Sequence, residues 1–316
     1  MAAYPQLSIL TSIYRGEEYL ADFLAQVAAQ TLFAQAELVA VLNEGRPAER
    51  ELLKEFGQQH PGQLQVLEVE RVEALGASWN RAWRAARGEY LAIWNIDDCR
   101  APDSLARQVA ALEAHPDWAL CYGDYVAVPA YGAEEGRRRH TPAFSRGYFA
   151  RGLPQGGAFW MLRRDASDQV GYFDEQFRVG PDFDYSVRMA LAGLRMGRVD
   201  GLLGYFTDAA QGLSTRDGAD QSAVDRTAIQ LRYKILDKVE HRYLDATGQY
   251  RMDEVLQFGE WLPLKQLLPN FKIGRAREVW LSTLGWLRSL LRGLLRALGL
   301  LGPLHRLLER GLKREL

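Results

Sequence analysis

Short apolar runs alternate with segments of helical spacing from the N-terminus to about residue 122. Leu7–Ile13 is a mostly apolar run that predicts a buried strand. In Glu17–Gln30, apolar side chains recur at the spacing of an amphipathic helix. The pattern continues with strands at Glu37–Leu42, Gln63–Val69, Tyr90–Trp94 and Trp118–Tyr122, and with helices at Pro47–Gln59, Ala74–Arg87 and Pro102–His115. This βαβα order favours a doubly wound, mainly parallel sheet.

The pattern is less regular after residue 122. Gly132–His140 is polar and basic and predicts a solvated, mobile loop. Ala158–Arg163 predicts a strand and Pro181–Leu194 a helix, while residues 220–245 have the pattern of a long, charged amphipathic helix.

Charge is distributed unevenly along the chain. The 316 residues carry a formal net charge of −1, but residues 270–316 hold ten Lys or Arg against three Asp or Glu. The tail is therefore +7 and the remaining 269 residues are −8, which indicates two parts with different surroundings.

Composition also indicates where the protein works. Cys99 and Cys121 make no disulfide framework and are typical of a reducing compartment. The N-terminus has no basic and apolar leader pattern, and no stretch reaches about 18 uncharged apolar residues. We expect a cytoplasmic protein without a signal peptide, a transmembrane helix or a nucleic-acid partner.

The predicted strand Tyr90–Trp94 ends on Asn95-Ile96-Asp97-Asp98. Two adjacent carboxylates at the end of a buried strand are costly to hold there without a partner. Ligands of open α/β sheets bind at this edge, and hard oxygen ligands suit Mg²⁺ or Mn²⁺ carrying a diphosphate. The alternative is an Asp-rich turn that caps the next helix.

Other polar segments are predicted at the same edge. Thr11–Glu17 runs from the end of the first strand into a loop and a helix, and Asn43-Glu44-Gly45 follows the second strand. Later in the chain, Asp182 lies in the first turn of a predicted helix, where an acid also interacts favourably with the helix dipole. Asp184 and Arg188 have the i,i+4 spacing of a structural ion pair.

Together these segments resemble the family 2 glycosyltransferases, which have a GT-A-type nucleotide-sugar-binding fold, over roughly residues 6–215. The family's Pro-x-Tyr-Asn-x-Glu-like turn corresponds to Ser12–Glu17, its Asn-x-Gly…Ala-x-Gly-Glu-Tyr stretch to Leu75–Tyr90, and its Asp-x-Asp-Asp metal motif to Asn95–Asp98. Its Gly-Phe-Asp-Glu…Glu-Asp…Arg block corresponds to Gly171-Tyr172-Phe173-Asp174-Glu175, Pro181-Asp182 and Arg188.

Three positions depart from the family pattern. Asn43-Glu44 stands for the usual Asp-Asp after the second strand, and Asn95 replaces the first acid of the metal motif. Pro181 replaces the Glu that normally precedes the catalytic Asp.

The resemblance implies an α/β fold with a GT-A-type doubly wound mixed sheet, a Rossmann-like nucleotide-binding half and a helical C-terminal extension. On this basis residues 1–219 form the catalytic domain, with a nucleotide-sugar half at 1–122 and an acceptor half at 123–219. A helical linker region at 220–269 and a basic amphipathic tail at 270–316 follow.

The resemblance also implies residue roles. Asp98 would coordinate Mn²⁺ or Mg²⁺ on the donor diphosphate, and Asp97 would bind the ribose or assist the metal. Asp182 would be the general base that deprotonates the acceptor hydroxyl, which gives inversion at the anomeric carbon. The nucleotide would be held by Thr11, Ser12, Tyr14, Glu17, Asn43, Glu44 and Asn80. Structural alternatives are a core aromatic for Tyr14 and first-turn helix chemistry for Glu17.

The implied function is an inverting, metal-assisted glycosyltransferase that moves a sugar from a nucleotide diphosphate donor to a hydroxyl of a glycan or lipid-linked acceptor. One alternative is a sugar-phosphate nucleotidylyltransferase, which would need a Gly-rich loop where Thr11–Glu17 has only Gly16. The other is a non-catalytic relative that binds nucleotide sugars or scaffolds an assembly, and Asn43, Asn95 and Pro181 favour it.

Residues 270–316 combine leucine and arginine at helical spacing. The apolar stripe is Trp280, Leu284, Leu287, Leu291, Leu294, Leu298 and Leu301, and the cationic stripe includes Arg288, Arg292 and Arg296. This make-up predicts helices that lie on an anionic membrane surface, so we expect a peripheral protein at the inner face of the cell membrane. The alternative is a helical hairpin that packs on the catalytic domain or on a second copy in a homodimer.

Overall fold

The computed structural model describes residues 5–150, 159–208 and 218–271, with four helical positions of the tail, Leu287, Leu290, Leu291 and Leu294. The first half contains β1 Leu7–Ile13, α1 Glu17–Ala28, β2 Ala36–Asn43, α2 Pro47–Gln59, β3 Leu64–Val69, α3 Leu75–Ala85, β4 Tyr90–Ile93, β5 Cys99–Arg100, α4 Ser104–Ala114 and β6 Trp118–Val128. The second half contains β7 Arg137–Arg139, α5 Arg146–Phe149, β8 Met161–Arg163, α6 Ala166–Val170, α7 Pro181–Ala192, β9 Arg195–Thr207, α8 Gly218–Arg232, β10 Glu254–Gln257, β11 Glu260–Pro263 and α9 Leu264–Leu267.

A mixed sheet organises the protein. Its strand order is β3-β2-β1-β4-β8-β6-β9-β5, with β7 paired to β6. Strands β1 to β4 run parallel, β8 is antiparallel to both β4 and β6, and β6 and β9 are parallel again. The predicted α/β fold with a mixed sheet is confirmed, and its first half is built from alternating parallel strands and helices.

The sheet separates two apolar cores. Ile9 of β1 packs in the core that contains Phe23 of α1, whereas Leu10 packs with Trp83 of α3 on the opposite face. Neighbouring residues of a strand point to opposite faces, so a strand covered on both sides is apolar throughout. This explains why β1 is a mostly apolar run in the sequence.

Several elements differ from the sequence prediction. Within the predicted loop Gly132–His140, β7 pairs antiparallel with β6. Strand β6 continues to Val128, beyond its predicted end, and β9 is a long strand that the apolar pattern does not reveal. The helix predicted across residues 220–245 ends at Arg232 as α8.

The segment at 218–271 packs against α7. The sequence predicts a helical linker at 220–269, and the structure has α8, short 3₁₀ turns and the β10–β11 hairpin there. Ile229 of α8 and Val255 of β10 share a buried apolar cluster with Phe183 and Val187 of α7. This segment is therefore packed onto the rest of the domain.

Most of the tail prediction falls outside the described residues. The four described tail leucines are helical and exposed by 50–62%. Among the residues that the structure describes, no helix is both long enough and apolar enough to cross a bilayer.

Candidate active site

Strands β1, β2 and β4 end at one edge of the sheet because they are parallel neighbours. The loop after β1 lies directly on the turn after β4. A Cβ atom at Gly16 would lie 2.3 Å from Cδ1 of Ile96, which shows how closely the two segments approach. The backbone N–H of Gly16 donates to Oε1 of buried Glu49 at 2.7 Å, and the N–H of Arg46 donates to Oε2 at 2.8 Å. Glu49 of α2 therefore ties together the loops after β1 and β2.

Three of the residues predicted to hold the nucleotide are accessible at this edge. Tyr14 is 40% exposed, and Glu44 is exposed with a φ of 47° in the left-handed region. Glu17 accepts a hydrogen bond from Arg46 at 2.7 Å, and this contact lowers the pKa of Glu17 from its ordinary value. Tyr14, Glu17 and Glu44 are thus in reach of a ligand at the sheet edge.

Asn43 is enclosed by protein partners. Its Nδ2 donates to the hydroxyl oxygens of Ser12 at 3.1 Å and Ser78 at 3.2 Å, and its Oδ1 accepts from the backbone N–H of Glu73 at 3.0 Å. These contacts join the ends of β1 and β2 to α3, which favours a structural role for Asn43. Thr11 is fully buried, and its hydroxyl has no hydrogen-bond partner among the described residues.

Asn80 is also enclosed. It is fully buried on α3, and its Nδ2 donates to the backbone oxygen of Phe173 and to Glu175, each at 2.9 Å. Its Oδ1 accepts from the N–H of Phe173 at 2.9 Å. The predicted nucleotide contact would require these bonds to break, so the geometry favours a role in holding the loop that contains Phe173.

Asp98 is buried beneath the edge, with 1% of its surface exposed. Its Oδ1 accepts from the backbone N–H of Thr207 on β9 at 3.0 Å, and its Oδ2 has no hydrogen-bond partner among the described residues. Burial and the neighbouring charge of Asp97 raise the pKa of Asp98 well above its ordinary value. Burial likewise raises the pKa of Asp97.

This pair of carboxylates fits a divalent cation that arrives with a diphosphate. A buried carboxylate oxygen without a donor is costly, and a cation would satisfy it. Within the described ranges, no three His, Cys, Asp or Glu side chains lie close enough to hold a metal ion. A magnesium-type site needs only one or two carboxylates, because water and substrate phosphates complete it.

Asp182 lies at the start of α7, half-buried, and its Oδ1 accepts from the N–H of Phe183 at 2.8 Å. The preceding Pro181 packs on α3, since a Cβ at Gly76 would lie 3.1 Å from the Cβ of Pro181. The start of α7 therefore adjoins the start of α3, which is bonded to the end of β2 through Ser78 and Asn43. The predicted structural pair between Asp184 and Arg188 is confirmed by an N···O distance of 2.8 Å.

Some residues that shape the site were not identified from the sequence. Arg100 is buried near Asp98, where burial lowers its pKa to about 9 and the guanidinium still attracts the carboxylate. Arg232 of α8 contacts Asp184 of α7, and Asp225 of α8 contacts the loop before α7. Arg100 lies two residues after Asp98, which was a signal in the sequence, but α8 is too distant in sequence to show its contacts.

Solved structures support the fold assignment. TarS of S. aureus in complex with UDP aligns with a TM-score of 0.55 and 17% identity, over 76% of this chain and 68% of that one. The mannosyltransferase PcManGT from Pyrobaculum calidifontis, in complex with GDP-Man and Mn²⁺, aligns with a TM-score of 0.53 and 16% identity, over 99% of this chain and 81% of that one.

The sequence relatives match this chain over part of their own length. The O-antigen biosynthesis protein RfbC of Myxococcus xanthus is 25% identical over 200 residues, which is 62% of this chain and 15% of that protein. The putative glycosyltransferase EpsE of Bacillus subtilis is 24% identical over 166 residues, 52% of this chain and 59% of that protein. The family model of glycosyl transferase family 2 matches residues 8–171, which is 164 of the 316 residues. The chain therefore belongs to glycosyl transferase family 2.

Proposed function

We propose that this protein is an inverting glycosyltransferase that moves a sugar from a nucleotide diphosphate donor to a hydroxyl of a glycan or lipid-linked acceptor. The observation that carries the proposal is the Asp97-Asp98 pair at the sheet edge, where Asp97 is half-buried and Asp98 is buried, with one oxygen of Asp98 lacking a partner among the described residues. In a chain of this family, that oxygen is suited to a cation on the donor diphosphate.

The residues at the sheet edge would hold the donor. Tyr14, Glu17 and Glu44 are exposed or half-exposed where the nucleotide would lie, with Ser12 and Thr11 beneath them. Asp98 and Asp97 would hold Mn²⁺ or Mg²⁺, and Asp97 is also suited to the ribose. The bound cation would stabilise negative charge on the departing nucleoside diphosphate.

Asp182 is our candidate for the general base. Its half-buried carboxylate lies at the start of α7, beside the start of α3. It would take the proton of the acceptor hydroxyl while that oxygen attacks the anomeric carbon from the side opposite the leaving diphosphate. One displacement of this kind inverts the anomeric configuration.

Named relatives support a nucleotide-sugar donor and a polysaccharide context. The neighbouring structures contain UDP, UDP-GlcNAc or GDP-Man, and RfbC is named for O-antigen biosynthesis. We therefore propose a polysaccharide-building role for this chain. We further propose that the basic tail at 270–316 holds the enzyme at the inner face of the cell membrane, next to such an acceptor.

The test is donor turnover with purified protein, Mn²⁺ and a panel of UDP- and GDP-sugars. The wild type should release nucleoside diphosphate, slowly by hydrolysis and faster with a hydroxyl acceptor. Asp182→Asn should lower transfer by about a hundredfold or more while a thermal shift with Mn²⁺ and UDP or GDP persists. Asp98→Asn should abolish that shift, although the amide oxygen can still accept from Thr207.

Asp103→Asn is the matched control, because its side chain is 58% exposed and pairs with Arg107. It should behave as wild type. If the protein binds Mn²⁺ and nucleotide but releases no nucleoside diphosphate from any donor, the hypothesis of a non-catalytic nucleotide-sugar-binding protein is supported. Turnover that is equal in wild type and Asp98→Asn would exclude the metal role.

A further inference from the structure

The loop before α7 is held by a carboxylate from a distant helix. The first N–H groups of a helix have no acceptor within that helix, and Gly180 at the N-cap has no side chain to supply one. Oδ2 of Asp225, on α8, accepts from the N–H of Val179 at 2.7 Å and from that of Gly180 at 3.1 Å. Asp225 thus holds, from another helix, the two backbone N–H groups that directly precede α7.

The Asp225 carboxylate is itself fixed. It is fully buried, and its Oδ1 accepts from Nε2 of Gln221 at 2.7 Å and from the hydroxyl of Tyr250. Gln221 also donates to the Tyr250 hydroxyl oxygen at 2.8 Å. Burial, and then the bond to Asp225, raise the pKa of Tyr250, so its hydroxyl remains a donor at neutral pH. Both carboxylate oxygens therefore have two donors each.

The backbone at Gly180 lies close against α8. A Cβ at Gly180 would lie 3.2 Å from Cδ1 of Ile229 and 3.4 Å from the Cβ of Asp225. On the other side, Pro181 packs on Gly76 of α3. The start of α7 is thus held between two helices, and Asp182 is the next residue after Pro181.

We infer that Asp225 is a positioning residue that holds Val179 and Gly180 so that Asp182 lies at the correct place for proton abstraction. Hydrogen bonds to an ionised acceptor are stronger than neutral ones, which makes a carboxylate suited to fixing two backbone groups. The inference rests on the proposed role of Asp182. A displacement of about 1 Å in a reacting group can lower turnover by about a hundredfold.

The first test is kinetic, using UDP-GlcNAc and GDP-Man, the donors found in the neighbouring structures. Asp225→Ala should lower kcat by about ten- to a hundredfold and change the donor KM by less than about twofold. Asp225→Asn keeps one acceptor oxygen and should recover a large part of kcat. Asp220→Ala is the control, since Asp220 is exposed on the same helix and bonds to Tyr243 instead.

A double variant separates positioning from general destabilisation. If Asp225 acts through Asp182, Asp225→Ala should cause no further loss of residual turnover in the Asp182→Asn background. A further loss of the full ten- to hundredfold would overturn the inference. Asp182→Asn that turns over like wild type would instead reject the proposed base, which is a distinct result.

A second measurement does not depend on enzyme activity. Hydrogen exchange at the amides of Val179 and Gly180 should become at least about tenfold faster in Asp225→Ala than in wild type or Asp220→Ala. Unchanged exchange there would show that the Asp225 contacts do not hold this loop, and would overturn the inference whatever the donor.

Discussion

Asp98 and Asp124 are both buried carboxylates, but their surroundings have opposite effects. Asp124 on β6 is 2% exposed and accepts from the N–H and hydroxyl of Thr141, from His140 and from Arg198. Although burial acts to raise its pKa, these donors lower it to about 2. Asp98 is also buried, but here burial and the like charge of Asp97 raise the pKa more than Thr207, Asn95 and Arg100 lower it. The donors to Asp124 therefore outweigh the effect of burial on its pKa, whereas burial dominates the pKa of Asp98.

Asp124 should make stability depend on pH in acid. Its folded pKa is below the unfolded value, so its contribution is fully present above about pH 4 and is lost as pH falls towards about 2. Wild type should lose about 2 kcal/mol of unfolding free energy relative to Asp124→Asn across this window. Urea unfolding of both proteins between about pH 5 and about pH 2.5 measures the difference.

The exposed Asp117 provides the control. It pairs with Arg195 at the surface, where such pairs contribute little. The difference between wild type and Asp117→Asn should therefore stay nearly constant over the same pH range. An Asp124→Asn difference that is equally flat would contradict the prediction.

The sequence predicted where the candidate site lies better than it predicted which contacts each side chain makes there. The polar residues after β1, β2 and β4 do lie at one edge, because parallel strands place them there. Asn43 and Asn80, however, bond mainly to protein groups, some of them far away in sequence. An amide that holds two loops together has the same sequence pattern as one that binds a nucleotide.

At the scale of elements, a buried ion cluster joins α7, α8 and the loop before α7. Arg232 of α8 contacts Asp174 at 2.7 Å and Asp184 at 2.8 Å, and Arg188 contacts Asp184 from the same helix. All four side chains are almost completely buried, and their formal charges cancel. Burial acts to raise the pKa of Asp184, but the two arginines outweigh it and the pKa is lowered.

Removing one arginine should leave the cluster with uncompensated negative charge. Arg232→Met keeps much of the side-chain volume but leaves two aspartates with one arginine, so we expect a loss of about 3–5 kcal/mol of unfolding free energy. Arg226→Met, at an exposed position of the same helix, should change stability by less than about 0.5 kcal/mol. Denaturant midpoints of both variants test this, and equal midpoints would reject it.

Helices and strands with a regular spacing of apolar residues were predictable from the sequence. Elements whose backbone lies directly against other parts of the chain were not. Helix α2 and strand β1 match their predicted bounds because burial of one face or of both faces fixes the apolar pattern. Strand β9 contains Gly197 and Gly204, which interrupt that pattern. A Cβ at Gly197 would lie 1.8 Å from the ring of Trp118, and one at Gly204 would lie 2.2 Å from the backbone oxygen of Cys99. These glycines are needed for contacts that the sequence does not reveal.

At the scale of the whole molecule, the family match covers fewer residues than the proposed catalytic unit needs. The match ends at residue 171, before Asp182 and before Val179, whose N–H donates to Asp225 of α8. The segment at 218–271 supplies Asp225, Arg232 and the hairpin that supports the loop at Gly171–Glu175. The family model covers the strands and helices up to residue 171, whereas the support for the proposed base is built by residues beyond it.

The tail at 270–316 differs from the rest of the chain in its charge and in its apolar pattern. Its described leucines are helical and at least half exposed, and the surrounding sequence carries a charge of +7. If the tail binds an anionic membrane, the full chain should float with vesicles that contain phosphatidylglycerol, and a version ending at Asn270 should not. Each basic residue near such a surface contributes about 1 kcal/mol, so the triple variant Arg288→Glu, Arg292→Glu and Arg296→Glu should bind at least about a hundredfold more weakly.

The control for that variant must change charge equally without touching the tail. Arg71→Glu, Arg137→Glu and Arg226→Glu replace three exposed arginines of the described domain and should leave flotation nearly unchanged. High salt should weaken binding of the full chain, because screening reduces the attraction while the leucines still bury apolar surface. If the shortened chain floats as well as the full one, the membrane role fails. The other outcome is that shortening converts a dimer to a monomer while neither form floats with vesicles. That outcome would mean that the tail leucines form a homodimer interface, in which the apolar stripe of one copy packs on the same stripe of the other.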